Sequence, residues 1–522
     1  MPNRSTDSLF QLIHSLQKSE KRNFKLYVKR NSSNNDLKVV QVFDIIDKMA
    51  VYDESVLIRK STSIKRQQLP NIKAHLYKQI LSSLRLLETS NNIDILLHEQ
   101  LDHARILYNK GLYHQSLKIL DKIKEIARST SQINFEIEVL MTEKKIESLH
   151  ITRSMQDRAD ELTRDINIAN SHLVKQSKLS NLALQLYSWY IKNGLARNLN
   201  DEKEVEDYFK AHLLPEIKNP EGFYEKLYFH QSYCWYAFIR QDYLIYYRHT
   251  QKWVDLFTDR PRMIQIETGN YIKGLHNLLN AHFALRNYSG FEKALKLLED
   301  FSKSDIVNLN DNNKIQVFVY LYIAKINQHF LEGTFKEGLT IVDEITRHLE
   351  EYNLFLDQHR TLIFYYKIAS LYFGAGDFDN AIHYLNKIIN WKVTLRNDLQ
   401  CYARLLHLIT HYELGNFQLL EYLIKTVYRF MAKMQNLSLV EEEIFKFLRK
   451  SFYMSARKLK PEFEKLLNII RQFETSKFET RAFAYLDIIS WLESKVDEKP
   501  LYEIIRKKYL FVKKSRNKKK QE

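Results

Sequence analysis

Residues 366–388 read YKIASLYFGAGDFDNAIHYLNKI, and this stretch predicts two helices joined by a tight turn. Apolar residues recur at helical spacing on both sides of the turn. Gly376 can take the left-handed conformation that ends a first helix, and Asp377 is a good N-cap for a second. Ala381 is small enough to let the two helices approach closely. The stretch therefore predicts a helical hairpin.

The same turn recurs along the chain, as Gly-Leu-Tyr at 111–113, Gly-Thr-Phe at 333–335 and Gly-Asn-Phe at 415–417. Weaker copies fill the intervals. The position that Phe378 holds in the quoted stretch is occupied in successive copies by Tyr113, Gln156, Leu199, Tyr243, Phe291, Phe335, Phe378, Phe417 and Phe463. The period is about 43 residues, and repeats of this length predict stacked helix pairs, because one pair cannot bury its apolar stripe alone.

Composition supports a helical fold. The 522 residues include only 11 glycines and 7 prolines, although 45% are hydrophobic. Folds rich in tight turns need more glycine and proline, and a chain this apolar is not generally disordered. We expect an all-α superhelical solenoid of about eight or nine helix pairs. We divide the chain into a small helical N-terminal domain at 1–90, the solenoid at 91–505 and a tail at 506–522.

Residues 366–388 resemble the tetratricopeptide-repeat family, because Ala369, Tyr372, Gly376, Phe378 and Ala381 fall at that family's spacing. The family repeat is about 34 residues long, so this chain would have longer helices. The resemblance implies that the first helix of each pair lines a concave surface that binds a protein or peptide.

Carrying the groove positions of the family over gives one set of candidate residues. They are Tyr320, Ile323, Asn327, Phe330, Ile363, Tyr366, Ser370, Phe373, Tyr402, Leu405, Ile409 and Tyr412, with His276, Leu279, Phe283 and Arg286 in the preceding repeat. Such a groove would be aromatic and nearly uncharged, which suits an apolar or amphipathic peptide. The alternative is that these side chains are buried between the helices. The turn positions Gly111, Gly333, Gly376, Ala381 and Gly415 are interpreted as structural.

The net charge of +16 belongs to the two ends of the chain. Residues 1–90 contain 16 Lys/Arg and 8 Asp/Glu, and residues 506–522 contain 9 Lys/Arg and one Glu, so residues 91–505 are balanced. A block of like charge such as the tail is usually disordered. The ends either bind a polyanion or are simply solvated. The candidate polyanion contacts are Lys60, Lys65, Arg66, Lys73, Lys78, Arg85, Lys513, Lys514, Arg516, Lys518, Lys519 and Lys520.

The first ninety residues contain no glycine and show helical spacing in several segments. A short helix opened by Asp53 is followed by a long basic helix with Pro70 in its first turn. This outline is that of a helix-turn-helix module that reads DNA. A basic docking surface for RNA, a ribosome or another ribonucleoprotein, or an acidic protein, is one alternative, and a solvated helix face is the other.

The sequence lacks the usual catalytic and ligand motifs. Gly269 and Gly274 have the end spacing of a phosphate loop, but Leu275 stands where lysine is required. His407 and His411 lie four apart on a helix, where they could share a metal or be structural. Two cysteines form neither a disulfide framework nor a zinc site, and indicate a reducing compartment. No signal-peptide anatomy or membrane-spanning run is visible.

We therefore expect no enzymatic activity, no cofactor and no metal, and a cytoplasmic location. The leading hypothesis is a scaffold or adaptor that binds a protein or peptide partner through the solenoid. The alternative is a nucleic-acid-associated regulator, in which the basic N-terminal domain and tail bind DNA or RNA and the solenoid senses a peptide or partner.

Overall fold

The chain forms two compact units, Met1–Asn167 and Ile168–Glu522, in a computed structural model. The structure describes residues 7–30, 36–61, 64–88, 92–150, 157–213, 215–308, 310–353, 355–391, 396–435, 437–451, 454–479, 483 and 486–518. These residues form helices and connecting turns and contain no strand, which confirms the all-α class. Within these ranges, none of the helices combines the length and hydropathy needed to span a bilayer.

Unit 1 is built from the N-terminal helices of the chain. Their bounds are α1 Ser8–Ser15, α2 Lys18–Arg30, α3 Asp36–Asp47, α4 Glu54–Lys60, α5 Leu69–Glu88, α6 Ile93–Asn109, α7 Tyr113–Ser129 and α8 Ile133–Leu149. The 36-residue helix α9, Arg158–Asn193, contains the boundary between the units.

Unit 2 contains the remaining helices of the chain. The bounds are α10 Leu199–His212, α11 Phe223–Ile239, α12 Tyr243–Asp259, α13 Arg262–Ile266, α14 Thr268–Ala284, α15 Tyr288–Ser302, α16 Asp305–Asn308, α17 Asp311–Glu332, α18 Phe335–Gly338, α19 Val342–Glu351, α20 Gln358–Ala375, α21 Phe378–Ile389, α22 Asn397–Glu413, α23 Phe417–Lys433, α24 Leu439–Ser451, α25 Ala456–Gln472, α26 Ile488–Val496 and α27 Leu501–Lys518.

The N-terminal helices of unit 1 share an apolar core that includes Leu9, Phe24, Phe43 and Leu76. The Asp53 carboxylate caps α4 by accepting hydrogen bonds from the backbone N–H groups of the first turn. The division of the chain differs from the expected boundary at residue 90. Helices α6, α7 and α8 also lie in unit 1.

Within unit 1, Arg85 of α5 pairs with Asp102 of α6 at 3.2 Å. This ion pair joins two different helices, so it could not be predicted from the repeat period.

The repeat in unit 2 is a series of helical hairpins. Helices α11 and α12, α14 and α15, α20 and α21, and α22 and α23 form hairpins, and α14 packs on α17, which packs on α20. Second helices begin at the marked positions Tyr243, Phe335, Phe378 and Phe417, so the aromatic position marks the turn there. Helix α15 begins at Tyr288, three residues before the mark at Phe291, so the predicted register is wrong in that hairpin. Of the weaker marks, Leu199 begins α10 and Phe463 lies inside α25, and Gln156 falls outside the described residues.

The turn glycines adopt the left-handed conformation that their position requires. Gly111, Gly333, Gly376 and Gly415 have φ values of 73°, 69°, 84° and 72°. An L-residue avoids this region because its Cβ meets the following carbonyl oxygen. Ala381 is fully buried where α21 packs on its neighbours, as a small residue at a helix crossing must be.

The tail differs from the disordered arm expected from its charge. Residues 501–518 form α27, which packs on α17 and α20. Ile504, Ile505 and Tyr509 are buried along one side of the helix, and the Tyr509 hydroxyl donates to Glu292 Oε1 at 3.3 Å. These apolar residues alternate with the cations, so a charge count alone conceals an amphipathic helix.

Candidate functional site

A cleft of about 190 Å³ opens among six helices of unit 2, namely α9, α11, α12, α14, α17 and α20. Most of its lining is aromatic or cationic. The lining residues are Tyr187, Tyr190, Trp235, Phe238, Tyr246, Lys273, His276, Asn277, Asn280, Val319, Tyr320, Ile323, His359, Arg360, Ile363 and Lys367.

Helical spacing explains how α14 supplies four of these side chains. Lys273, His276, Asn277 and Asn280 follow the i, i+3, i+4, i+7 pattern that places side chains on one helix face. Leu275, on another face of the same helix, is buried in the core. The cleft-facing and core-facing sides of α14 are therefore distinct, and core packing fixes the orientation of the polar side chains.

Stacked rings form the walls of the cleft. The imidazole of His276 lies 4.0 Å from the ring of Tyr320 at an interplanar angle of 13°. Tyr190 stacks on Trp235 at 5.6 Å, and Tyr187 lies 4.8 Å from the same indole. Burial and nearby cations lower the pKa of His276 to about 3, so this histidine is neutral near pH 7.

Two lysine ammonium groups of the cleft lie against aromatic rings. Lys273 Nζ lies 5.2 Å from the ring centre of Tyr187 and 5.7 Å from that of Trp235. Lys367 Nζ donates a hydrogen bond to Asn327 Oδ1 at 2.6 Å. Burial lowers the pKa of both side chains, that of Lys367 to about 8.

The cleft has no acidic lining among the residues that the structure describes. Neither Lys273 nor Lys367 has a carboxylate partner within those residues. Arg360 Nε lies 3.8 Å from Asp357 Oδ2, an exposed carboxylate of the same helix end. The cleft is therefore aromatic and cationic, which corrects the expectation of a nearly uncharged groove.

A buried ion pair fixes the aromatic side chain of Tyr190. Arg396 donates from Nε and Nη2 to the two carboxylate oxygens of Asp398, both at 2.8 Å. The guanidinium lies 5.3 Å from the Tyr190 ring centre. A Cβ on Gly194 would lie 3.1 Å from Asp398, so the end of α9 packs closely against the start of α22. This contact orients one wall of the cleft.

The structure separates the predicted groove residues into two sets. Tyr320 lines the cleft, as do His276, Ile323 and Ile363. The other candidates do not line it, and several are in the core. Asn327, Tyr366, Phe373 and Tyr402 are buried, Phe330 and Tyr412 are partly buried against the core, and the Ser370 hydroxyl donates to the backbone oxygen of Tyr366. Helices α20 and α22 have neighbours on most sides, which leaves few of their side chains for a groove.

Several cleft residues were not among the candidates from the sequence. Tyr187, Trp235, Lys273, Arg360 and Lys367 belong to helices far apart in sequence, which only the fold brings together. The sequence did contain one signal, because Lys367 interrupts the apolar run from Leu362 to Ala369 and lies between buried Tyr366 and Ile368. A cation in such a position needs a reason, since a buried charge is costly without a partner.

The candidate polyanion contacts are in different environments. Lys73 pairs with Asp7 and donates to the Tyr52 hydroxyl at 2.7 Å, and Arg85 pairs with Asp102. Lys513 donates to the Tyr509 hydroxyl at 3.1 Å. Arg85 and Lys513 are exposed, as are Lys60, Lys65, Arg66, Lys78 and Lys514. The side chains of Arg516 and Lys518, and all of Lys519 and Lys520, lie outside the described residues.

The two histidines considered as metal ligands are buried, with their Nε2 atoms 3.3 Å apart. His411 Nδ1 also lies 3.0 Å from the Asn416 amide nitrogen. The described parts of the chain contain no group of three or more His, Cys, Asp or Glu side chains arranged to hold a metal. The pair therefore belongs to the polar packing of the α22–α23 hairpin.

Comparisons with known proteins return distant structural likeness only. No family model matches the chain, and no curated protein matches it. The apo form of the quorum sensor NprR from B. thuringiensis is 12% identical over 80% of this chain and 100% of its own, with a TM-score of 0.39. A signal transduction ATPase with numerous domains and a tetratricopeptide repeat sensor, from Pyrococcus horikoshii, is 11% identical over 99% of this chain and 67% of its own, with a TM-score of 0.34.

Proposed function

We propose that the chain is a non-enzymatic scaffold or adaptor that holds part of a protein or peptide partner in the cleft of unit 2. One observation carries this proposal: aromatic and polar side chains from six helices converge on a single open cleft. Binding sites are typically concave, with mostly apolar walls and a few well-placed polar groups. This cleft has both.

The proposal includes no catalytic step, because fixed rings and cations are suited to holding a ligand. The imidazole of His276 stacks on Tyr320, and its depressed pKa makes it a poor base near pH 7. Cytoplasmic location is part of the same proposal. Cys234 and Cys401 are buried and form no disulfide, which is compatible with a reducing compartment.

Site-specific photo-crosslinking in the full chain tests this proposal. A benzoylphenylalanine at position 320 retains an aromatic ring in the cleft. The matched control carries the same group in place of Leu297, an exposed residue of α15. In native extract we expect a discrete protein adduct from position 320 that position 297 does not give.

The result has two further requirements. The adduct from position 320 should disappear when Ile363, which also lines the cleft, is changed to Glu, with circular dichroism showing that the helices are intact. Equal labelling from positions 320 and 297, or an adduct that persists in the Ile363→Glu chain, would show that the cleft is not where the partner binds.

A further inference from the structure

The starting point is the unusual environment of two lysines. Lys273 is partly buried against the cleft rings of Tyr187 and Trp235, and Lys367 is partly buried against Phe330, which does not line the cleft. Among the described residues no carboxylate neutralises either lysine. Taking a cation out of water is unfavourable unless an opposite charge accompanies it. Retaining two such cations in one small cleft therefore calls for an explanation.

A partly buried lysine elsewhere in the chain shows how such a cation is usually neutralised, namely by a carboxylate. In unit 1, Lys124 Nζ donates to both carboxylate oxygens of Glu143 at 2.7 and 2.9 Å, and Glu143 is completely buried. Arg158 Nη2 adds a further contact to Glu143 at 3.1 Å. Lys273 has only ring contacts, and Lys367 has a neutral amide. The cleft thus lacks the acidic group that the core of unit 1 supplies.

Size and walls limit what could supply that missing charge. The cleft volume of about 190 Å³ is below the range of about 300–1,000 Å³ that holds drug-sized ligands. It therefore suits a group about the size of one amino-acid residue. Tyr187, Trp235 and Tyr320 offer flat surfaces, and flat apolar groups stack on such rings at about 4.5–7 Å.

We propose that the group entering the cleft is an anion on a flat apolar body. Its carboxylate or phosphate head lies among the cations of the cleft, Lys273, Lys367 and Arg360, and its body lies against the aromatic walls. This inference rests on the proposed function, since it takes the cleft as the binding site and names the chemistry that the site accepts. The group arrives either as a free organic acid or as part of a partner peptide.

Other ligand charges fit less well. A cationic group would meet Lys273, Lys367 and Arg360 together and be repelled by all three. A neutral group would leave both lysines without a counter-charge. An anion supplies the counter-charge that the lysines lack. Among ligands of the same shape, an anion should therefore bind much more tightly than a neutral or a cationic one.

Titration of the full chain followed by ligand-observed NMR tests this directly. The anionic probes are phenylacetate and phenyl phosphate, the neutral isostere is phenylacetamide, and the cationic one is phenethylamine. We expect the anions to bind about tenfold or more tightly than the amide, and the amine to bind least. Raising the salt concentration should weaken only the anions.

Charge-removal variants locate the effect. Lys273→Gln and Lys367→Gln should each weaken anion binding about tenfold and leave the amide unchanged. Lys293→Gln, at an exposed position of α15, is the matched control and should change neither. Lys273→Met keeps the apolar stem and provides a second variant if the glutamine chain folds poorly. Equal binding of anion and amide, or Lys273 and Lys367 variants that behave like Lys293→Gln, would overturn the proposal.

Two further arms separate the sources and the two proposals. A heptapeptide ending in phenylalanine is compared with its amidated form: if only the free-carboxylate peptide binds, a partner supplies the anion, whereas phenylacetate binding shows that a small acid suffices.

The crosslink from position 320 is repeated with Lys273→Gln. A persisting partner adduct without anion preference would defeat this inference and leave the proposed function standing, and anion preference without any adduct would do the reverse.

Discussion

His276 shows how burial sets the charge of a cleft side chain. Lys367, Lys273 and Arg360 all disfavour its protonated form, and burial does so most strongly, so its pKa is lowered to about 3. In the unfolded chain the pKa returns to about 6.5. The unfolded state therefore binds more protons between these values, and the free energy of unfolding falls as the pH drops from about 6.5.

Replacing His276 by Phe keeps the stacking on Tyr320 and removes the titration. We expect the wild-type chain to lose about 2 kcal/mol more stability than His276→Phe between pH 6.5 and 4.5. Urea unfolding of both chains at the two pH values measures the difference. Parallel losses would mean that His276 titrates normally in the folded protein.

Lys367 gives the same direction of pH dependence as His276, but in a higher pH range. Burial lowers its pKa to about 8 in the folded chain, against about 10.4 when unfolded. Between these values the unfolded chain binds more protons, so the free energy of unfolding rises with pH. Replacement by Met should abolish this rise, whereas Met at the exposed Lys293 should preserve it. Urea unfolding from pH 7.5 to 10 gives the slopes, and an unchanged slope in Lys367→Met would contradict the assignment.

At the scale of helices, substitutions at two turn glycines can distinguish the cost of backbone strain from the cost of displacing a packed helix. Gly376 has φ of +84° and free space where a Cβ would stand. Gly333 has φ of +69°, but a Cβ there would come within 2.6 Å of the Arg506 backbone nitrogen in α27. Alanine at Gly376 should cost about 1–2 kcal/mol, the strain of the left-handed region.

Alanine at Gly333 should cost about 1–3 kcal/mol more than alanine at Gly376, because it also displaces α27. Thermal melts measure the stability difference. Limited trypsin digestion should cleave at Arg506 to Lys508 faster in Gly333→Ala than in Gly376→Ala. Identical melting and digestion of the two variants would show that α27 does not dock on this turn.

The hairpins were predictable because their signals are local. A glycine that must have positive φ, a cap and a small residue at the crossing lie within a few residues of Gly376. Helix α27 was not predictable from charge, since Ile504, Ile505 and Tyr509 are scattered among cations and their burial depends on helices α17 and α20. Local rules describe each hairpin, and long-range contacts decide what packs on it.

At the scale of the molecule, the cleft was only partly predictable. The repeat register correctly identified Tyr320 as a cleft residue. On α20 the register placed Tyr366 in the groove, but Tyr366 is buried and the next residue, Lys367, lines the cleft. The side chains of a helix change face at every residue, so a small error in register exchanges core and groove. The ion-pair partners of Lys73 and Arg85 could not be predicted either, because Asp7 and Asp102 lie in other parts of the sequence.

Binding of nucleic acid by the basic ends stays a prediction. If it occurs, reversing the exposed Lys60, Lys65, Arg66 and Lys78 to Glu should weaken binding and flatten its dependence on salt, because fewer counterions are released. Reversing Lys293 instead, in the charge-balanced part of the chain, should leave both unchanged. Electrophoretic mobility shifts of the full chain at low and high salt measure both quantities. Binding that resists the four reversals would place any such site elsewhere.

The central claim is that the cleft of unit 2 holds a partner. The most direct measurement is the affinity of the full chain for the partner captured at position 320, compared among wild type, Tyr320→Ala and Leu297→Ala. Tyr320→Ala should weaken binding about tenfold or more, since an aromatic residue at the centre of a binding site dominates its energy. Leu297→Ala should stay within about twofold of wild type, which is under 0.5 kcal/mol. Equal affinities for all three chains would contradict the claim.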